Sequence, residues 1–230
     1  MLAPIWVPAT ALLLRVAGRY RIENAEEIRR EYRRIRAEEP GPLLLCANHL
    51  TLIDSALIAW ALGSVGWFLR NYASLPWNVP EARNFAASIG QRVASYVMKC
   101  IPITRGGDRA EVARVLSEFA HVMSEGDVGL VFPEGGRSRS GKIDLEAAAP
   151  GVGRIVNALP GCKVLCVYLR GDRQTSFSNM PKFGDRFHVE MRLIEPKTEH
   201  RGLRGSREIS RQILTTLGEM ESRWLVAKGQ

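Results

Sequence analysis

Apolar positions fall into short unbroken runs, separated by longer stretches in which they recur every three or four residues. Runs of four to seven apolar residues are too short for buried helices and suit strands of a covered sheet. Leu43–Ala47, Val128–Phe132 and Lys163–Leu169 fit that description, and Val65–Arg70 and Ile101–Thr104 read as two further strands. Phe187–Leu193 alternates its side chains, the signature of a half-covered edge strand. Between these runs lie helical patterns. Asn24 with Glu27 has the spacing of a capping box, opening a helix to about Glu38. Asp54–Leu62 and Pro80–Met98 favour helix, Asp108 is placed to cap a helix running to Ser124, and Val152–Ala158 forms a shorter one. From Ser206 to about Val226, Ile209, Ile213, Leu217, Met220 and Trp224 make one apolar stripe. Strands alternating with helices predict an α/β fold, a mostly parallel central sheet flanked by helices. Residues 1–40 form a short N-terminal helical segment and 41–230 the principal domain, with no internal repeat.

The N-terminal segment is apolar from Met1 to Leu14, yet it carries Pro4 and Pro8 and runs into Arg15. It is too short to cross a bilayer, which takes about 20 apolar residues, and it lacks the basic leader of a cleaved signal. Two readings stay open: an ordinary helix packed on the core, or a segment lying in a membrane interface with Trp6 at headgroup depth. The net charge of +8 and pI near 9.7 favour an anionic partner: a membrane, a phosphate-bearing substrate or a nucleic acid. The arginines between Arg29 and Arg36 are interleaved with glutamates and read as a solvated helix face, and no nucleic-acid motif accompanies them. Cys46, Cys100, Cys162 and Cys166 are scattered in apolar surroundings without metal spacing, so reduced core cysteines and no metal site are expected.

Three segments carry candidate chemistry, and each follows a strand. Asn48-His49 and Asp54 form a His-x4-Asp spacing. On one continuous helix the two side chains would lie about 140° apart. They can meet only if His49 sits on the strand-exit loop and Asp54 in the first turn of the next helix. The carboxylate would then fix the imidazole tautomer and leave one ring nitrogen as a base. Arg105 precedes Gly106-Gly107. Phe132-Pro133-Glu134-Gly135-Gly136-Arg137-Ser138 is a glycine-rich turn whose amides and arginine suit an anion. Strand-end loops of a parallel sheet gather at one edge, so these groups are expected to converge.

In this order, Asn-His-x4-Asp, Ile103-Thr104-Arg105 and Phe132-Pro133-Glu134-Gly135-Gly136-Arg137-Ser138 resemble the signature of the phospholipid/glycerol acyltransferases, which include the glycerol-3-phosphate and lysophosphatidic acid enzymes. The resemblance spans roughly Leu43 to Gly171. It implies that 41–230 is an acyltransferase domain, with His49 as catalytic base and Asp54 as its partner. Arg105, Glu134, Gly135, Gly136, Arg137 and Ser138 would match the acceptor-binding residues. It further implies an acyl thioester donor, acyl-CoA or acyl carrier protein, as co-substrate with no other cofactor. A lysophospholipid-type acceptor and peripheral attachment to the cytoplasmic face of an anionic membrane complete the expectation. Gly136 replaces the family's usual threonine, and Cys166-Val167-Tyr168 stands where proline and small residues are usual. These departures leave room for a non-phosphate acceptor, and a non-catalytic basic membrane-binding domain is the remaining alternative. Lys99 and Arg139 are candidates for added positive charge in the acceptor pocket.

Overall fold

A computed structural model describes residues 2–82, 88–104 and 106–229. The strands are β1 (Arg21–Ile22), β2 (Leu43–Ala47), β3 (Trp77–Asn78), β4 (Gly129–Val131), β5 (Lys163–Gly171) and β6 (Arg186–Ile194). They form one sheet in the order β1-β6-β5-β2-β4-β3, parallel throughout except where β6 runs antiparallel to β5. The helices are α1 (Ala3–Leu12), α2 (Ala25–Glu38), α3 (Asp54–Leu62), α4 (Val65–Arg70), α5 (Ile89–Val97), α6 (Arg109–Ser124), α7 (Pro150–Ala158) and α8 (Gly202–Ala227). The expected α/β fold with a mostly parallel sheet is the one observed.

Successive strand residues point to opposite faces, and both faces of this sheet are buried. Leu44, Cys46, Val164, Cys166 and Tyr168 face a core closed by α6, α7 and α8. Leu43, Leu45, Ala47, Leu165, Val167 and Leu169 face a second core closed by α1 to α4. This explains why β2 and β5 read as unbroken apolar runs rather than alternating ones. Residues of the N-terminal segment share the second core: Ala3, Val7, Tyr32 and Ile35 are buried there, and β1 pairs with β6. No helix is long and apolar enough to cross a membrane among the described residues.

Several local expectations are corrected. Val65–Arg70 is α4, not a strand, because Ser64 Oγ accepts the Trp67 amide and starts a helix two residues after α3 ends. Asn24 precedes α2 as expected, but in a left-handed conformation with no side-chain cap, so the capping box is not formed. The helix expected to run unbroken over Pro80–Met98 is interrupted at Ser88, which is extended and caps α5 with its Oγ on the Gln91 amide; residues 83–87 of that stretch lie outside the described residues. Ile101–Thr104 contributes one isolated bridge, Ile103 to Glu81, beside a second from Cys100 to Asn78, rather than a ladder strand. Asp108 caps α6 as its position suggests, accepting the Ala110 and Glu111 amides.

Candidate active site

Strands β2, β4 and β5 are parallel neighbours, so the loops after Ala47, Val131 and Gly171 leave the same edge of the sheet. Asn48 extends β2 with its side chain: Nδ2 donates to Leu169 O and Oδ1 accepts the Leu169 amide, at 2.9 and 2.8 Å. This amide pair imitates one more ladder rung and fixes where the chain turns toward His49.

Asp54 is the first residue of α3, and its carboxylate collects four donors. Oδ2 accepts His49 Nδ1 at 3.0 Å, the Leu50 amide at 2.6 Å and the Thr51 amide at 2.8 Å, while Oδ1 accepts the Thr51 hydroxyl at 2.5 Å. A carboxylate can only accept, so Nδ1 carries the proton and Nε2 holds the basic lone pair. The ring is held from its face as well, since Phe132 stacks on it with centroids 3.9 Å apart and planes 15° apart. His49 Nε2 has no hydrogen-bond partner among the described residues. One nitrogen of a clamped imidazole is therefore available for proton transfer.

The glycine-rich turn packs directly beside this loop. The Ser138 amide donates to His49 O at 2.9 Å. Gly135 has φ of 68°, a left-handed conformation that disfavours side chains and closes the turn after Pro133; Gly136 follows it. Glu134 is half-buried, with Oε2 accepting the Asp144 amide at 3.3 Å and Oε1 buried without a hydrogen bond of ordinary geometry. Burial pushes its carboxyl up to about 7, helped by the nearby Glu221 charge and opposed by the backbone N–H groups of Asp144 and His49.

Two signature residues are engaged by the protein itself. Arg137 donates from one guanidinium nitrogen to Ser178 O and to Asn179 Oδ1, both at 3.0 Å, and lies over the Phe177 ring. The Ser138 hydroxyl is turned into its own loop, bonded to Lys142 O and 3.1 Å from Ser140 Oγ. Arg105 lies outside the described residues. Lys99 is not near this site: it is buried, donating to Tyr72 O and Leu75 O at 2.8 Å and pairing with Asp127. Its expected role in the acceptor pocket is therefore withdrawn, because its charge is consumed inside the fold. Arg139 is exposed on the outer turn.

The sequence reading missed the parts that hold the site. Asn48 and Thr51 lie inside the motif but act through bonds invisible in its spacing. The loop after β5 is tied to both motif loops: the Leu52 amide donates to Asn179 O and the Ser178 amide to Leu50 O in the His49 loop, and Arg137 reaches Ser178 and Asn179 from the glycine-rich turn. Buried Arg170 reaches Gly141 O at 2.5 Å, Gln174 O at 3.1 Å and Glu221 Oε1 at 3.2 Å, while Glu221 Oε2 accepts the Ile143 amide. These contacts lock the segment after the glycine-rich turn against β5 and α8.

An apolar cavity of about 140 Å³ runs beside α3, from Ser55 and Ala56 next to Asp54 to Gly63 at its far end. Trp6 and Val7 of α1, Phe68 of α4 and Met98 after α5 close its other walls. It begins within one helical turn of the His49–Asp54 pair. No three- or four-residue cluster able to hold a metal ion occurs among the described residues.

Compared with known proteins, residues 19–170 match the model of the family described as Acyltransferase, more than half of the chain. No curated protein matches it. Family match, sheet topology and ordered motif agree, and the chain belongs to the Acyltransferase family, the glycerolipid acyltransferases, and is an acyltransferase.

Proposed function

We propose that the protein moves a fatty acyl group from an acyl thioester, acyl-CoA or acyl carrier protein, to a hydroxyl of a lysophospholipid-type acceptor such as 1-acyl-glycerol-3-phosphate. His49 is the base and Asp54 its orienting partner. The observation that carries this reading is the clamped imidazole, with Nδ1 on Asp54, Phe132 on one face and Nε2 open.

An alcohol is a poor nucleophile until its proton is removed, whereas a thiol near pKa 8.5 leaves readily as thiolate. In the proposed step the hydroxyl proton passes to Nε2 as the oxygen attacks the thioester carbonyl. Asp54 stabilises the imidazolium, collapse of the adduct expels the thiolate, and the thiolate regains the proton. No covalent acyl-enzyme and no further cofactor is needed. A positioned base contributes about 10²–10⁴-fold, and holding donor and acceptor together adds to this. Glu134, Gly135, Gly136, Arg137 and Ser138 would shape the acceptor site with Arg105, and the apolar cavity along α3 suits a hydrocarbon chain. Because donor chain and product are lipids, the enzyme is placed at the cytoplasmic face of a membrane, attached peripherally.

A second reading has one observation in its favour. Arg137 is already bonded to Ser178 and Asn179, which lowers its capacity to grip a phosphate. The same His49 chemistry would then serve a neutral acceptor. Purified protein, given acyl-CoA or acyl carrier protein thioesters with either lysophosphatidic acid or a neutral monoacylglycerol, separates the two by thiol release and product mass. Preference for the phosphorylated acceptor supports the first reading, and preference for the neutral one replaces it with the second. No transfer to either acceptor would refute both.

A further inference from the structure

Helix α5 is amphipathic but turned the wrong way for a core helix. Ile89, Val93 and Tyr96 recur at helical spacing as one stripe, and they are 83%, 59% and 57% exposed. The residue buried from this helix is Ser95. Helix α1 is apolar nearly all round: its buried edge is Ala3 and Val7, while Leu2, Ile5 and Leu12 stand in solvent, and Leu13 and Val16 continue that line. Scattered exposed apolar residues are ordinary, but stripes of this kind mark an interaction face.

The two stripes belong to one region. Trp6 of α1 and Met98, just after α5, line the same apolar cavity, and Met98 is itself exposed. The Tyr72 hydroxyl, which Trp6 approaches, donates to Val97 O at 3.4 Å. On the other side, Arg19 lies over the exposed Phe183 ring, and the Gly184 amide donates to Gly18 O. The loop that ties down the His49 turn thus adjoins the end of the α1 stripe.

Charge identifies what covers this face. Residues 1–22 and 55–107, which contain both stripes, hold eight lysines and arginines against Glu81 alone, a net of seven from a chain whose total is +8. Among the described ones, Lys99 is withdrawn into the fold, on Asp127. The remainder of the chain is nearly balanced. Arg15, Arg19, Arg70 and Arg92 are exposed. Apolar side chains flanked by cations suit the interface of an anionic bilayer, where each arginine near the surface contributes about 1 kcal/mol, roughly fivefold in affinity.

We propose that α5 and α1 together form a bilayer-docking face beside the cavity that Trp6 and Met98 line, so that a hydrocarbon chain passes between membrane and cavity without crossing water. The cavity's role rests on the acyl-transfer reading, whereas the docking face does not. The stripe of α5 seats in the acyl-chain boundary, and the arginines meet anionic headgroups.

The test is flotation of the full chain with vesicles of equal phosphatidylglycerol and phosphatidylcholine, and with pure phosphatidylcholine. Wild type should float with the anionic vesicles and much less with the neutral ones. Ile89→Glu/Val93→Glu should bind at least about tenfold less, and Val226→Glu, an exposed site on α8, should bind as wild type. Circular dichroism and gel filtration report whether each variant is folded and whether its size changes. Equal flotation of wild type and the α5 variant overturns the proposal, as does equal binding to neutral vesicles. A wild-type dimer that the α5 variant dissociates without losing flotation would assign the face to a second copy instead. Transfer from a short, water-soluble thioester to a soluble acceptor should be the same in wild type and the α5 variant. Flotation as expected with no transfer by either protein would sink the acyl-transfer reading and leave the docking face standing.

Discussion

Glu134 is the residue whose environment departs furthest from what its position in a surface turn suggests. Its carboxyl is held up to about 7, chiefly by burial, against an ordinary value of 4.5. The folded chain therefore keeps a proton that the unfolded chain releases between about pH 4.5 and pH 7, so stability falls as pH rises through that window. Glu134→Gln removes this titration. Its urea midpoint should decline less than that of wild type between about pH 5 and pH 7.5, and parallel declines would show that the burial argument is wrong. Thr51 matters in a different way: its hydroxyl occupies Asp54 Oδ1, leaving Oδ2 to hold the imidazole. Thr51→Val keeps the backbone amide bond but loses the hydroxyl, and should lower turnover while changing the acceptor KM little. A raised KM with unchanged kcat would place Thr51 in binding rather than in orientation of the base. The His-x4-Asp spacing was legible because a residue on the exit loop and one at a helix start must be neighbours. The amide ladder of Asn48 and the stacking of Phe132 were not, since each depends on a strand distant in sequence.

Elements join through close approaches that a linear pattern does not display. Gly153 of α7 packs so tightly on α8 that a Cβ there would lie 1.9 Å from the Ser206 carbonyl oxygen. Backbone cannot yield as a side-chain tip can, so Gly153→Ala must push the helices apart. It should cost about 1–3 kcal/mol, the range for overpacking, and a urea-derived change below about 0.5 kcal/mol would contradict the contact. The buried runs of β2 and β5 and the stripe of α8 were readable because burial on two faces, or along one stripe, imposes its own period. Helix α4 was misread because a short, largely apolar run ending in Arg70 fits a strand equally well, and a single cap by Ser64 decides the matter. The Arg170–Glu221 pair was invisible for another reason: its partners come from β5 and α8, 51 positions apart.

At the scale of the molecule, the sheet brings three loop-bearing strand ends to one edge, and the second core leaves an apolar cavity leading away from it. Chemistry, chain binding and the proposed membrane face would then follow one line: His49 at the sheet edge, the cavity beside α3, and the exposed stripes of α1 and α5. The family's ordered motif made the first part of that line readable from sequence alone. The inverted stripe of α5 became meaningful only once its neighbours were placed. The claim on which the account depends is that His49 and Asp54 act as one unit in proton removal. Single-turnover acyl transfer by wild type, His49→Ala, Asp54→Asn and the double variant measures this. His49→Ala should lose about 10²–10⁴-fold, with the double variant no slower than His49→Ala alone, because Asp54 works through the imidazole. Undiminished transfer by His49→Ala, or losses that multiply in the double variant, would contradict it.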